Sequence, residues 1–303
     1  MSTLQEINHL APWFFTSLVF ILGACLGSFL NVCIYRIPRD ESVVSPGSHC
    51  ACGKPVAWYD NIPILSWFIL RGRARCCGRP FSFRYPAIEL VTAVLCTLSW
   101  RLFPAGQAAG GMVLVLLVLG ATFIDLDHMI IPDVFSIGGA VVGVLLSVLL
   151  PVLHGISHEF YFVAALRSGV ASMLGLLVGS GLVLWIALLA ESLLKREAMG
   201  FGDVKFLGAL GAFLGWKGAV FSIFGGAIFG CLWVTVLMVW QKSTGRGASL
   251  APKIETPDGQ PAEKVGFGVH VSFGPMLGAG ALLYFFAMRP YVDAYFANLQ
   301  VLF

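Results

Sequence analysis

Two acidic groups stand at the edges of apolar segments and are the residues of this chain best suited to chemistry. Asp203 follows Gly200-Phe201-Gly202, and Asp125-Leu126-Asp127 closes an apolar stretch well upstream. Because an ionised side chain inside hydrocarbon costs at least about 2.5 kcal/mol, it is kept mainly where it pairs, lines water or reacts. Two carboxyl groups that meet in a site of low dielectric constant share a proton and hold a water molecule between them. Such a pair predicts hydrolysis, in which one carboxylate takes a proton from the water while the other acid donates to a carbonyl oxygen.

The composition places these carboxylates in a membrane protein. Apolar residues make up 58% of the chain and charged residues 12%, and the mean hydropathy is +0.85, which excludes an ordinary soluble globule. Spanning a bilayer takes about 20 apolar residues in a helix. The sequence therefore predicts an all-α polytopic membrane protein with about eight transmembrane helices, of which the first is retained rather than cleaved. The predicted spans are 13–35, 85–103, 108–126, 133–151, 168–191, 204–216, 218–240 and 270–288.

The positive charges predict how these spans are oriented, since Lys and Arg concentrate in cytoplasmic loops. With the N-terminus outside, the inside segments 36–84, 192–205 and 241–269 hold eight, three and four of the 19 Lys and Arg residues. Asp125 and Asp203 then share the cytoplasmic face. The net charge of +3 is thus explained by topology and by contact with anionic membrane lipids, so no nucleic-acid partner is predicted.

Helix geometry separates the acidic residues into different roles. On one helix Asp125 and Asp127 lie about 200° apart, so only one of them faces a given partner. Asp133 follows Pro132 at a predicted helix start, where a negative charge suits the helix dipole, and a structural role is expected for it. Asp203 also fits a structural role as a first-turn acid of the sixth span. The role of Asp127 is left open by the sequence.

Two other functions use the same residues. Membrane carboxylates and Gly-interrupted helices also occur in proton-coupled transporters. A metal-dependent lipid-phosphate enzyme would use Asp125-x-Asp127 to hold magnesium. A non-enzymatic assembly factor would need neither Asp125 nor Asp203 for chemistry. The pairing of Asp125 with Asp203 across two helices favours hydrolysis by a carboxyl pair.

Several motifs resemble those of one protein family. Gly200-Phe201-Gly202-Asp203 is similar to the GxGD motif of intramembrane aspartyl proteases, and Ile124-Asp125-Leu126-Asp127 through Ile131-Pro132-Asp133 resembles the first aspartate motif of type IV prepilin peptidases. The remaining matches resemble the N-terminal cytoplasmic region of the long, bifunctional members of that family. They are Gly27-Ser28-Phe29-Leu30-Asn31-Val32, Tyr35-Arg36-Ile37-Pro38, Asn61-Ile62-Pro63-Ile64-Leu65-Ser66-Trp67, Arg71-Gly72, and Tyr85-Pro86 to Glu89.

The resemblance implies a specific pair of reactions at the inner membrane of a bacterium. Leader peptides of type IV prepilins or type II secretion pseudopilins would be cleaved at the cytoplasmic face, with Asp125 and Asp203 as the catalytic pair. The new N-terminal residue would then be methylated with S-adenosylmethionine as donor. No donor-binding residue and no oligomeric state follow from the sequence. The implied division is a first helix (1–35), a cysteine-containing cytoplasmic domain tied to methyl transfer (36–84), a peptidase domain (85–289) and a C-terminal tail (290–303).

Four cysteines cluster in the hydrophilic loop 36–84. Cys50 and Cys52 form one pair, and the adjacent Cys76 and Cys77 form the other. Paired cysteines about two dozen residues apart on a reducing side resemble a tetrathiolate zinc site, which would be structural because four protein ligands leave no position for water. The family pattern has two Cys-x-x-Cys pairs, and here His49 and Ala74 stand where the outer cysteines would fall, so His49 is a further candidate ligand. Free thiols in a small reduced loop are the alternative.

Two more segments are expected near this face. Glu89 lies near a cytoplasmic span end, where snorkelling or pairing with the basic loop explains it. His270 and Ser272-Phe273-Gly274-Pro275 open the last predicted span at the same face as the aspartates, and they are expected to line the site.

Overall fold

The fold is built from helices, as the composition predicts. A computed structural model describes residues 11–50, 52–195, 199–244 and 272–302. Within those ranges the only β contacts are two single bridges, so the all-α fold class is confirmed. The helices are α1 (Pro12–Arg36), α2 (Leu65–Ile69), α3 (Arg84–Leu102), α4 (Ala105–His128), α5 (Asp133–Leu149), α6 (Tyr161–Leu194), α7 (Phe201–Thr244), α8 (Gly274–Leu283) and α9 (Arg289–Leu302), with short 3₁₀ turns at Ile37–Arg39, Trp58–Asp60 and Pro151–His154.

Several of these helices have the length and composition to cross a bilayer. Among the described residues, four helical segments meet both requirements, and α5 is apolar but shorter, with 17 residues. The chain is therefore a multi-pass membrane protein. The four segments are Pro12–Arg39, Ala105–His128, Tyr161–Leu194 and Phe201–Val236.

The helix α7 is broken and folds back on itself at Gly215. This residue has φ 73° and ψ 176°, a left-handed conformation that glycine adopts without steric cost. A Cβ atom placed on Gly179 of α6 would lie 2.6 Å from the Leu207 carbonyl oxygen and 3.3 Å from Ala219 Cβ. In a straight helix, residues 207 and 219 would lie about 18 Å apart. Because both lie close to Gly179, the chain must reverse its direction sharply between them. The break falls at the boundary predicted between the sixth and seventh spans.

The first arm of α7, residues 201–214, is deeply buried among the helices that the structure describes. Phe206, Leu207, Leu210 and Phe213 are at most 1% exposed and pack in one cluster with side chains of α4, α5 and α8. Burial of large side chains at native packing density leaves such an element little freedom to shift. The residue that precedes this buried run, Asp203, is therefore held in a fixed position.

The C-terminal helices pack against the second arm of α7, residues 216–244. After α8 the chain passes through one π-helical turn, Tyr284–Met288, into α9. The segment predicted as a tail is thus helical as far as Leu302. An ion pair between Lys217 Nζ and Asp293 Oδ1, at 2.8 Å, ties α9 to the start of the second arm.

Candidate active site and metal centre

Asp125 lies at the C-terminal end of α4, with its carboxylate turned into the protein. The residue is only 5% exposed, and its Oδ2 accepts a hydrogen bond of 3.1 Å from the backbone N–H of Gly274. Gly274 is the first residue of α8, so the carboxylate sits at a helix N-terminus, where the helix dipole favours a negative charge. A Cβ atom on Gly274 would lie only 2.5 Å from that oxygen. The close approach of α8 to Asp125 therefore depends on glycine at this position.

Asp203 lies in the first turn of α7, and the structure brings it to Asp125. Its backbone N–H donates to the Gly200 carbonyl oxygen at 3.1 Å, and the residue is half-buried. Its carboxyl group lies within electrostatic range of that of Asp125. Ile131, which follows α4, packs against the starts of both α7 and α8. Cβ atoms placed on Gly202 and Gly274 would lie 3.5 Å and 3.1 Å from its side chain. The two acids singled out in the sequence thus lie near each other at one end of the helix bundle.

The glycines of the Gly-x-Gly-Asp motif make no unusually close contact with a neighbouring helix. The shortest contact of a Cβ on Gly202 would be 3.5 Å, to Ile131, and on Gly200 it would be 3.9 Å, to the Asp203 carboxylate. Both distances are ordinary van der Waals contacts. The close approach that shapes this site is made by Gly274, which the sequence analysis placed near the site without giving it this role.

Asp127, the second acid of the Asp125-Leu126-Asp127 group, is held in an ion pair away from the Asp125 carboxylate. Asp127 Oδ1 accepts a hydrogen bond of 2.7 Å from Arg84 Nη1, and Arg84 Nη2 donates to the Phe123 carbonyl oxygen at 3.1 Å. Arg84 therefore caps the C-terminal end of α4, where a cation is favourable. Asp127 points away from Asp125, as the 200° separation predicts. A magnesium site built on both acids is disfavoured by this arrangement.

Asp133 has the structural position expected of it. It is the first residue of α5, and its carboxylate pairs with Lys205 Nζ at 2.8 Å. Because Lys205 lies two residues after Asp203, this ion pair joins the start of α5 to the first arm of α7. Pro132 is the N-cap of α5.

The described residues at the start of α8, from Ser272 to Pro275, contribute to the site. Ser272 is buried close to the Asp125 carboxylate, and Gly274 donates to it as noted above. The expectation that 272–275 lines the site is therefore met at these two positions. His270, the other expected lining residue, lies outside the described residues.

Glu89 has a different role from the one expected. It is 9% exposed, and its Oε2 accepts a hydrogen bond of 2.6 Å from the backbone N–H of Ile64. Ile64 has φ 64° and ψ −55°, and the Leu65 N–H donates to the Pro63 carbonyl oxygen at 2.6 Å, which defines a tight three-residue turn. Glu89 thus anchors the cysteine loop to α3 through the backbone. Sequence reasoning missed this contact because its partner is a backbone group in an uncommon conformation.

The four loop cysteines converge, as the sequence predicts for a metal site. Their Sγ atoms all lie within 4.8 Å of one another. Cys50 Sγ is 3.5 Å from Cys77 Sγ, and Cys52 Sγ is 3.4 Å from Cys76 Sγ. Zinc–sulfur bonds of about 2.3 Å in a tetrahedron separate the sulfurs by roughly 3.8 Å, so the donor set fits zinc. His49 lies apart from this set: its Nδ1 is 3.2 Å from the Gly47 carbonyl oxygen.

Two small turns present these thiols. Cys50 N–H donates to the Lys54 carbonyl oxygen at 2.8 Å, and Ala74 N–H donates to that of Arg79 at 2.9 Å. The Cys52 backbone N–H and the neighbouring thiols hydrogen-bond the Cys50 sulfur and lower its pKa to about 7. Hydrogen bonding to Cys50 and Cys52 raises the pKa of Cys76 to about 12. The cluster thus favours thiolate at Cys50, and thiolate is the form that binds metal.

The fold is that of a multi-pass helical membrane protein in which two carboxyl groups lie near each other at one end of the bundle and four thiols meet in a loop beside it. Residues 21–103 match the bacterial peptidase A24 N-terminal domain, and residues 112–235 match the type IV leader peptidase family. The chain belongs to the type IV leader peptidase family, as its motifs indicated.

Curated relatives agree over most of the chain. A protein of Myxococcus xanthus (strain DK1622) is 36% identical over 254 residues, which cover 82% of this chain and 69% of the relative. One from Aeromonas hydrophila is 37% identical over 244 residues, covering 72% and 79%. One from Xanthomonas campestris pv. campestris is 31% identical over 310 residues, covering 92% and 94%. Each is named prepilin leader peptidase/N-methyltransferase. No solved structure matches the chain.

Proposed function

We propose that this protein cleaves the leader peptide from prepilins or pseudopilins and then N-methylates the new N-terminal residue. The observation that carries the peptidase half is the proximity of Asp125 and Asp203 at one end of the bundle, with Asp125 buried and oriented by α8. The methyltransferase half rests on the family and on the names of the curated relatives.

The two aspartates act as one acid–base unit. With one proton shared between them, the ionised carboxylate takes a proton from the water that attacks the peptide carbonyl carbon. The protonated partner donates to the carbonyl oxygen, so that the tetrahedral intermediate is neutral. The Gly274 N–H fixes the orientation of Asp125, and the buried first arm of α7 fixes Asp203. We assign neither aspartate the role of acid or base alone, since such a pair titrates as a unit.

Cys50, Cys52, Cys76 and Cys77 hold a structural zinc ion in this proposal. Four thiolates complete a tetrahedral site and leave no open position for water, so the ion would contribute folding stability to the loop and no catalysis. The mutual approach of the four sulfurs within 4.8 Å supports this assignment. The same loop is anchored to α3 by Glu89, so its fold and the membrane helices are coupled.

The proposed topology places the site in the inner membrane, facing the cytoplasm, with eight crossings and the N-terminus outside. The fold-back of α7 at Gly215 supports counting its two arms as separate crossings. The eight Lys and Arg residues of segment 36–84 support a cytoplasmic position for the cysteine loop. The active acids lie at the same end of the bundle as that loop, where the leader of a membrane-inserted substrate would be cut.

S-adenosylmethionine is the proposed methyl donor. It would supply an electrophilic methyl group to the amine that cleavage exposes. Methyl transfer thus needs no protein nucleophile, only a site that orients donor and amine.

The proposal is tested by incubating the purified chain in lipid nanodiscs with a prepilin, with and without S-adenosylmethionine, and by measuring the intact mass of the product. Loss of the leader without the donor, and the additional mass of one methyl group with it, are expected. A prepilin of unchanged mass after incubation with folded protein would refute the peptidase assignment. Cleaved product that never gains a methyl group would refute the methyltransferase assignment alone.

A further inference from the structure

A cavity of about 320 Å³ lies beside the C-terminal end of α4, on the side away from Asp125. Small-molecule sites begin at roughly this size, about 300 Å³. The ends of α1 and α4, the 3₁₀ turn after α1 and the start of α3 enclose it. The lining residues used below are Asn31, Tyr35, Arg39, Arg84, Tyr85 and Asp127.

The cavity presents both signs of charge together with aromatic rings. Arg84 and Asp127 form the 2.7 Å ion pair, yet their side chains remain 38% and 34% exposed, so both can still bind a ligand. The Arg39 guanidinium lies over the Tyr35 ring, 4.0 Å from its centroid, and both residues are exposed at the mouth. This lining fits a small molecule that carries a carboxylate, a positive charge and a flat ring.

We propose that this cavity binds the methyl donor, S-adenosylmethionine, an inference that rests on the proposed methyltransferase function. Arginine recognises carboxylates through its fork of N–H donors, which suits Arg39 and Arg84 to the amino-acid end of the donor. Asp127 is an acceptor for its amino or ribose hydroxyl groups. Tyrosine rings stack on nucleobases and attract a cation such as a sulfonium. An anionic phospholipid headgroup would share the arginines, but it lacks the net positive charge with which the donor can pair with Asp127.

The buried side chain of Asn31 indicates that the wall of this cavity is ordered for binding. It is 8% exposed, lines the cavity from α1, and donates from Nδ2 to the Tyr85 carbonyl oxygen at 3.1 Å. A buried amide is costly without partners, so it is kept where it fixes neighbouring groups. Here it fixes the start of α3, from which Tyr85 and Arg84 enter the cavity.

The position of the cavity fits a reaction that follows cleavage. Asp125 and Asp127 project from opposite sides of one helix end, and a helix with its side chains is about 10 Å across. The new amine therefore moves about 10 Å around the end of α4, which is roughly three residues of extended chain. Its lone pair then attacks the methyl carbon, and the carbon–sulfur bond breaks with its electron pair remaining on sulfur. The sulfonium becomes the neutral thioether of S-adenosylhomocysteine, and the amine proton leaves to water at the cavity mouth.

The test measures binding of S-adenosylhomocysteine to the full-length protein in nanodiscs by calorimetry. The variants are Arg39→Gln and Tyr35→Leu, with Arg79→Gln as the matched control, since Arg79 is exposed in the cysteine loop and does not line the cavity. We expect the two cavity variants to weaken binding about tenfold or more, in line with loss of a charge-assisted contact. Prepilin cleavage should remain at the wild-type rate and confirm folding, and the control should bind as wild type does.

Wild-type affinity in both cavity variants, with the wild-type protein binding normally, would overturn the placement of the donor while the methyltransferase function stood. A wild-type protein that cleaves prepilin but neither binds S-adenosylhomocysteine nor methylates its product would overturn both. Equal weakening in Arg79→Gln would show a general charge effect and would also overturn the placement.

Discussion

Replacing Gly274 with alanine should disable cleavage by moving the Asp125 carboxylate. The added Cβ would lie 2.5 Å from Asp125 Oδ2, whereas carbon and oxygen atoms in close contact are about 3.3 Å apart. Either α8 or the carboxylate must then move by about 0.8 Å. The 3.1 Å hydrogen bond from Gly274 N–H would lengthen to nearly 4 Å, beyond the range of a hydrogen bond.

A shift of this size has a calculable effect on the reaction. Misplacing a catalytic group by about 1 Å costs roughly 100-fold in rate, or about 2.7 kcal/mol of transition-state stabilisation. We therefore expect kcat/KM for prepilin cleavage to fall about 100-fold in Gly274→Ala. The control is Gly278→Ala, one turn further along α8, whose Cβ would lie 2.7 Å from Val118 Cγ1 and away from both aspartates.

The two variants should separate a local effect from a general one. Both should lower the unfolding temperature, because both introduce a clash in the same helix. Only Gly274→Ala should lose most of its activity. Retention of more than a third of wild-type kcat/KM by folded Gly274→Ala, or an equal loss in Gly278→Ala, would refute the role given to Gly274.

Three further results are expected. Cys76→Ser should lower bound zinc from about one ion per chain, measured by metal analysis of purified protein, and a zinc-free wild type would contradict the metal site. Asp127→Asn should change the cleavage rate by less than about fivefold, because an exposed ion pair with Arg84 contributes only about 0–1 kcal/mol; complete loss of cleavage would favour the magnesium mechanism instead. Gly202→Ala should change the free energy of unfolding by less than about 0.5 kcal/mol, since its Cβ would make only an ordinary contact with Ile131, and a large loss in chemical denaturation would contradict the packing described.

The sequence predicted the placement of the acids because that placement depends on local geometry. Residues two apart on a helix point in opposite directions, so Asp125 and Asp127 had to have different partners. The charge pattern also predicts that both helix ends lie at one membrane face. The partner of Asp125, the Gly274 N–H, lies 149 positions away in sequence, and no local rule identifies it.

The structure of the cysteine loop could be predicted only in part from the sequence. The spacing of Cys50-x-Cys52 and Cys76-Cys77 departs from the family pattern, and sequence alone left zinc and free thiols open. Convergence of the sulfurs depends on two turns whose backbone hydrogen bonds are not evident from residue types. The same holds for Glu89, which was expected to meet basic side chains and instead binds the backbone of Ile64 in a tight turn.

The most direct test of the account is prepilin cleavage by Asp125→Asn and Asp203→Asn, with Asp133→Asn as the control. Each amide removes one proton carrier from the pair while nearly preserving its shape, so each should lower kcat by a factor of about 10² to 10⁴ in protein that remains folded. Asp133→Asn should cleave at close to the wild-type rate, because the Asp133 carboxylate bonds to Lys205 and Ser136 and has a structural role at the start of α5. Normal cleavage by Asp203→Asn would show that this residue only begins a helix, and the paired-carboxyl mechanism would then be wrong.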